Sequence, residues 1–323
     1  MTEPGAIPRA SRLREPRVLI LGLPYFGQSL AQGLASRGWD ARFLHHPGRS
    51  PARWARVAAA LRWTGVLYLL GSRAERWSPQ DLLFRAYGKP IVIHWVGTDA
   101  LIATEQHARG PLARSVVHKP SHWCDAPWLV DELRQLGIPA EFVSLPVTGL
   151  ASAAPPLPSR FRVLLYLPVD GFDREVFDME ALLKLPGAFP DVDFVLVPSP
   201  ASTLPGPLAP NLEAPGWVFD MDALYRSVSV TVRLTSHDGM SFMVLESLSR
   251  GRYVIYTYAL PGVIKAEGYE AVAAALTGLV ARHEAGLLGL NEAGMAWARE
   301  HFDPSRALDE IDGRLRALIR PRP

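Results

Sequence analysis

Residues 230–257 read VTVRLTSHDGMSFMVLESLSRGRYVIYT, and their spacing decides the fold. Val230, Val232 and Leu234 alternate with Thr231, Arg233 and Thr235, the period of two expected of a strand. Ser236-His237-Asp238-Gly239 is turn chemistry. From about Ser241 the apolar residues fall at helical spacing, with Val244, Leu245 and Leu248 on one side. Gly251 supplies a helix stop, and Tyr253-Val254-Ile255-Tyr256 a second strand. Strand, loop, helix, strand is a piece of a parallel α/β sheet, and such sheets bind ligands beyond the carboxyl ends of their strands.

Two acids stand in this unit. Asp238 lies in the loop, and Glu246 lies on the second helical turn, on the side of Phe242 and away from the apolar stripe. Helical side chains lean toward the N-terminus, so the Glu246 carboxylate is directed back over the loop. The backbone N–H groups of Gly239, Met240, Ser241 and Phe242 face the same place, with the positive end of the helix behind them. Amide donors for a phosphate and carboxylates for hydroxyls suit a nucleotide sugar. A purely structural reading stands beside this one: Asp238 caps the helix, and Glu246 pairs with Arg250 at i,i+4.

The segment HDGMSFMVLESLSRGRYVI resembles the C-terminal signature of retaining GT-B glycosyltransferases of family 4. That signature has an acid, Gly, a short loop and a second acid, then a small-residue helix, Gly and an apolar strand. The resemblance implies two Rossmann-like α/β domains with parallel sheets facing across a cleft. It implies sugar transfer from a nucleotide-sugar donor with retention of configuration, by a hexosyltransferase-type enzyme. In the family the first acid and the loop amides hold the transferred sugar, and the second acid holds the ribose. Asp238 matches the first, where the family usually has Glu, and Glu246 matches the second. Gly216-Trp217-Val218 is similar to the family segment that meets the nucleobase, so Gly216 and Trp217 join the expected nucleotide site, although a buried aromatic is an equal reading of Trp217. Arg174 and Arg233 are the expected diphosphate cations, an incomplete clamp beside the Arg and Lys of the family. The family needs no dedicated metal, and no cofactor is expected. The sequence shows no Cys/His cluster with ligand spacing.

The first half opens with a second informative run. Arg17–Leu21 is a buried strand, followed by Gly22-Leu23-Pro24-Tyr25-Phe26-Gly27 and a helix from about Gln28 to Arg37. The turn lacks the GxGxxG fingerprint of a dinucleotide fold. The resemblance implies that Gly22, Tyr25, Phe26 and Gly27 face the cleft on the acceptor side, and a plain βα turn is the alternative. Lys89–Asp99 is a strand ending at His94, then a turn with Gly97, Thr98 and Asp99. In family 4 a similar strand ends in His followed by Gly-Thr-Asp or Gly-Ser-Asp, and that His approaches the transferred sugar. The resemblance therefore implies a catalytic role for His94, and Asp99 is also a candidate cap. Ser115–His118 reads as a short strand, Ser121–Leu136 as a helix and Ala140–Leu145 as a strand.

Residues 149–159, GLASAAPPLPS, read as a linker. They separate an acceptor-side unit, residues 1–150, from a nucleotide-sugar-binding unit, residues 151–305, and the resemblance has residues 306–323 cross back onto the first. Near the C-terminus, Glu270–Arg282 and Glu284–His301 read as helices.

Net charge is +2, but residues 1–150 carry +7 and residues 151–323 carry −5. A basic first half suits an acidic acceptor or the inner face of an anionic membrane. Residues 49–62, with Arg53, Arg56 and Trp54, read as an amphipathic helix, which is either interfacial or a solvated basic face over a core helix. Nucleic acid is excluded as a partner by the lack of a binding module or Lys-rich tract. One cysteine, Cys124, agrees with a reducing, cytoplasmic compartment. No secretory signal is legible in the first 15 residues, and no apolar run approaches the ~20 residues that span a bilayer. Two further readings remain: an epimerase or hydrolase of nucleotide sugars, and a degenerate module that only binds.

Overall fold

The computed structural model describes residues 15–48, 50–169 and 175–320. Apolar runs in the first half become β1 (Arg17–Gly22), β2 (Asp40–His45), β3 (Val66–Leu70), β4 (Ile91–Trp95), β5 (Ser121–Cys124) and β6 (Ala140–Phe142). They pair in parallel in the order β2-β1-β3-β4-β5-β6. Every residue of β3 and β4 is buried, as strands covered by helices on both faces must be. The covering helices are α1 (Pro24–Ala35), α2 (Pro51–Leu61), α3 (Pro79–Ala86), α4 (Thr98–Arg109), α5 (Arg114–His118) and α6 (Pro127–Gln135). Proline opens α1, α2, α3 and α6, where its missing N–H costs nothing. Ser50 and Ser78 cap α2 and α3 by accepting from the N–H groups of Arg53 and Asp81.

The second half repeats the plan with β7 (Arg162–Leu167), β8 (Asp193–Pro198), β9 (Leu212–Glu213), β10 (Val230–Arg233), β11 (Tyr253–Tyr256) and β12 (Val263–Lys265). Their order is β12-β11-β10-β7-β8-β9, again parallel throughout. The helices are α7 (Met179–Ala188), α8 (Met221–Arg226), α9 (Phe242–Ser249), α10 (Gly268–Glu284), α11 (Glu292–His301) and α12 (Pro304–Ile319). Strand order reverses between β1 and β3 in one sheet and between β7 and β10 in the other. Crevices open at such reversals, beyond the carboxyl ends of the strands.

The last helix packs on the first sheet. Ile311 and Leu315 of α12 join a core with Val18, Ile20, Leu30, Leu34 and Val66. At its edge, Asp312 accepts from Trp39 Nε1 at 2.5 Å and Asp309 from Arg37 Nε at 2.7 Å. Segment 149–156 has the composition of a loose connector, yet it is fastened to the end of α9. Ala151 N–H donates to Ser249 Oγ, and Arg250 Nη1 to the Gly149 carbonyl. Arg252, fully buried, donates to the carbonyls of Tyr225, Pro155 and Pro156.

Some boundaries differ from the sequence reading. Ser115–His118 is helical, in α5, and the strand is Ser121–Cys124, inside the expected helix. Val116-Val117 is β-branched, but here local propensity yields to packing: both side chains are buried in the core beneath the sheet. Pro127 then sets the start of α6. Tyr25, Phe26 and Gly27, expected in a loop, form the first turn of α1, because Pro24 opens the helix earlier. Residues 285–291, expected to be helical, separate α10 from α11 around Gly286 at φ +67°. No helix among the described residues is long and apolar enough to cross a membrane.

Candidate functional site

The carboxyl ends of β4 and β10 bring their loops into direct contact. Gly97, with φ +108°, stands just before α4, and Gly239 just before α9. A Cβ on Gly97 would overlap the backbone N of Gly239. One on Gly239 would lie 2.5 Å from the Val96 carbonyl oxygen and 2.7 Å from Asp125 Oδ1. Only glycine at both positions lets the two backbones approach this closely.

A cavity of about 270 Å³ opens there. Phe26, Val96, Thr98 and Asp125 line it from the first half, and Tyr166, Arg233, His237 and residues 238–243 from the second. Ser241 caps α9 by accepting from Val244 N–H at 3.4 Å, so the cap is not Asp238. Phe242 and Met243 open that helix, where N–H groups have no intrahelical acceptor. The Met240 N–H donates to Asp125 Oδ1 at 3.2 Å, so one expected phosphate donor is engaged by the opposite half. Asp125 is buried, and that burial, with Asp99 and Asp238 nearby, holds its carboxyl well above the usual carboxylate range.

Asp238 faces Arg233 in a bidentate pair, with Nε at 2.5 Å from Oδ2 and Nη2 at 3.0 Å from Oδ1. Tyr256 Oη donates to the same carboxylate at 2.8 Å. Trp128 of α6 donates from Nε1 to the Asp238 carbonyl at 2.7 Å and stacks on Tyr258 at 4.3 Å. Arg233 also lies over the rings of Tyr166 and Phe177. Beside it, His237 Nε2 meets both oxygens of Glu132 at 3.0 and 2.9 Å.

A second cavity, about 250 Å³, shares Tyr166, Phe242 and Met243 with the first. It is mostly apolar, walled by Tyr25, Trp217, Val218, Met221 and Tyr225, with Glu246 as the acid in its lining. Tyr225 Oη donates to Glu246 Oε2 at 2.8 Å. Burial raises the Glu246 pKa, against the lowering effects of that bond and of Arg250. Arg250 pairs with Asp222 instead, at 3.0 Å, so the i,i+4 pair is not formed. Trp217 is not a core residue: it is 69% exposed, on the rim. Gly216, at φ +84°, turns the chain against Pro200.

His94 lies behind the cavity wall. Its ring is fully buried between Tyr68 and Trp123, with Tyr68 Oη 2.6 Å from Nδ1. Nε2 faces the backbone of Val143, with no well-formed hydrogen bond among the described residues. Burial lowers its pKa to about 3, so the imidazole is neutral at neutral pH. Asp99 turns inward to brace two loops, accepting from Val96 N–H at 2.9 Å and Ser72 N–H at 3.2 Å. Burial raises its pKa to about 7. Phe26 packs edge-on against Phe242 at 4.8 Å, while Tyr25 is half exposed beside it. Gly22 and Gly27 serve packing: a Cβ would overlap Leu70 at one and the Phe43 ring at the other. Arg174 lies outside the described residues. A further cavity, about 670 Å³, lies elsewhere, between residues 175–178 and 265–268, and holds none of the expected residues.

The sequence reading missed Asp125, Tyr166, Tyr225 and Tyr256. Asp125 was hidden because residues 121–136 read as one helix. A strand ending at Cys124 would have placed it at a carboxyl edge.

No protein-family model matches the sequence, and no curated protein does. Solved structures do. The sucrose-phosphate synthase of Thermosynechococcus elongatus superposes with a TM-score of 0.72 at 11% identity, covering 94% of this chain and 99% of that one. The glycotransferase of kitacinnamycin gives 0.54 at 15% identity, covering 94% and 100%. The glycosyltransferase SnogD from Streptomyces nogalater gives 0.50 at 20% identity, over 94% and 100%. These likenesses, together with two parallel six-stranded sheets meeting at their carboxyl ends, establish that the protein has the GT-B fold of glycosyltransferases.

Proposed function

We propose that the protein is a retaining glycosyltransferase of hexosyltransferase type that moves a sugar from a nucleotide-sugar donor to an acceptor. One observation carries the reading: an apolar pocket lined by Trp217 and Glu246 shares a wall with the cavity at the start of α9. A nucleoside fits the first, its base against Trp217 and its ribose hydroxyls on Glu246. The diphosphate then reaches the N–H groups of Ser241, Phe242 and Met243, where the helix dipole favours negative charge. The sugar lies against Gly239, with residues 1–150 closing over it from Val96–Thr98 and Asp125.

Each side chain has a distinct part. The bidentate bond to Arg233 and the Tyr256 hydroxyl leave Asp238 little capacity to bind a sugar directly. Its part is to fix the loop whose amides do the binding. Neutral, buried His94 stiffens the strand that carries Gly97 into the cleft. Transfer with retention places the donor phosphate oxygen as acceptor of the incoming hydroxyl proton on the same face. The +7 charge of residues 1–150 supports an anionic partner, including contact with an anionic membrane face. Co-sedimentation with anionic vesicles that weakens as salt rises tests that contact.

The engaged Asp238 carboxylate favours a second reading, a module that binds a nucleotide sugar without turnover. Incubation with UDP-, GDP- and ADP-sugars separates the two. The transferase reading expects slow release of nucleoside diphosphate from one donor, with the hydrolysed sugar first appearing as the anomer of the donor. Binding without release supports the module, and inversion at the anomeric carbon rules out retention.

A further inference from the structure

A third cavity, about 320 Å³, lies in the crevice between β1 and β3 and shares Val96 and Thr98 with the central cavity. The three cavities therefore form a chain, and whatever fills this one abuts the group at Gly239. Leu23, Leu70 and Ile102 give it an apolar wall. Its titratable side chains are His46, Arg73 and Asp99. Both Asp99 oxygens accept backbone N–H groups, which turns that carboxyl into the wall rather than into the space. Arg73 is exposed, and among the described residues its guanidinium pairs with no carboxylate; its backbone N–H donates to Gln80 Oε1. His46 accepts from Gly48 N–H through Nδ1, which leaves Nε2 to carry the ring proton. Arg73 is near enough to His46 to act on it: burial first, then the Arg73 charge, lowers the His46 pKa. An exposed arginine and a partly buried histidine thus line one apolar crevice together, and both can give an anion charge-assisted hydrogen bonds.

We propose that this crevice takes the acceptor, and that the acceptor is an alcohol carrying an acidic group, phosphate or carboxylate, held between Arg73 and His46. The inference rests on the glycosyltransferase reading for the word acceptor, and the binding itself does not. The test follows the His46 ring resonance by NMR while glucose, glucose 6-phosphate or glucuronate is added. The two anions share the sugar ring and differ at C6, a phosphate ester against a carboxylate, and so separate the two acidic groups. At least one of them is expected to bind and to raise the His46 pKa, with glucose inert. In Arg73→Gln, a surface change that spares the core, affinity for that anion should fall about tenfold. Equal binding of glucose, no response to either anion, or unchanged affinity in Arg73→Gln would overturn the proposal. Loss of nucleotide binding in a Glu246 variant reports on the donor reading alone, so the two can fail separately.

Discussion

Gly97 and Gly239, 142 positions apart in the chain, touch backbone to backbone at the bottom of the cleft. Each belongs to a loop at the carboxyl end of a strand in a different sheet. The contact is one of several between the two halves, and Gly239 lines the central cavity.

Gly97→Ala should therefore cost more than backbone strain. A left-handed non-glycine residue costs about 1–3 kcal/mol by itself. Gly38, at φ +81° with open space where a Cβ would stand, supplies the control. Gly38→Ala should show the strain alone, and Gly97→Ala strain plus a wedge between the loops. Urea unfolding of both variants, with donor turnover, reads the difference. Equal stability loss and equal turnover would show that the contact is dispensable.

Asp238→Asn leaves Arg233 nearly buried without a full counter-charge; the two side chains are only 14% and 11% exposed. Breaking such a pair costs about 3 kcal/mol. The expected result is a lower unfolding midpoint, with nucleotide affinity kept within about threefold, since a change under ~1 kcal/mol is below tenfold. A variant as stable as the wild type that loses only sugar discrimination would restore Asp238 as a direct sugar ligand.

His94 makes a pH-dependent contribution. Its pKa is about 3 in the folded chain, below the ordinary 6.5, because burial opposes the imidazolium. Between these values the unfolded chain binds the extra proton, so this stabilisation is complete above pH 6.5 and is lost as pH falls. The slope reaches about 1.4 kcal/mol per pH unit. Buried Asp99 works in the opposite sense, so the comparison must be with a variant. His94→Gln should flatten the fall in stability between pH 6.5 and 4, measured by denaturant midpoints. Parallel pH curves for the two proteins would mean that His94 is hydrated or charged in the folded state.

The fold was legible in the sequence because parallel strands buried on both faces are short apolar runs, and glycines mark where they turn. The strand–loop–helix–strand at residues 230–256 appears with its helix only a residue or so from the expected start. Glu246 was singled out by its helical position and Trp217 by the family resemblance, and both line one pocket. The partners of Asp238 were not legible. Arg233 is five residues away, but Tyr256 and Trp128 reach it only through tertiary packing. Asp125 was lost to a four-residue strand, too short for periodicity to separate from a helix start. His94 was placed correctly at a strand end, but which sheet face its ring takes depends on Tyr68 and Trp123, on neighbouring strands.

The central claim is that the pocket of Trp217 and Glu246 holds the nucleoside of the donor. Titration calorimetry with UDP, GDP and ADP on the wild type, Glu246→Gln and Trp217→Ala tests it directly. The account expects one nucleotide to bind the wild type. In Glu246→Gln that affinity should fall about tenfold, the loss of a charge-assisted hydrogen bond worth roughly 1.5 kcal/mol. In Trp217→Ala it should fall by a similar factor, the loss of a stacking surface worth about 1 kcal/mol or more. Binding that is unchanged in both variants, or no binding of any of the three nucleotides to the wild type, would contradict it.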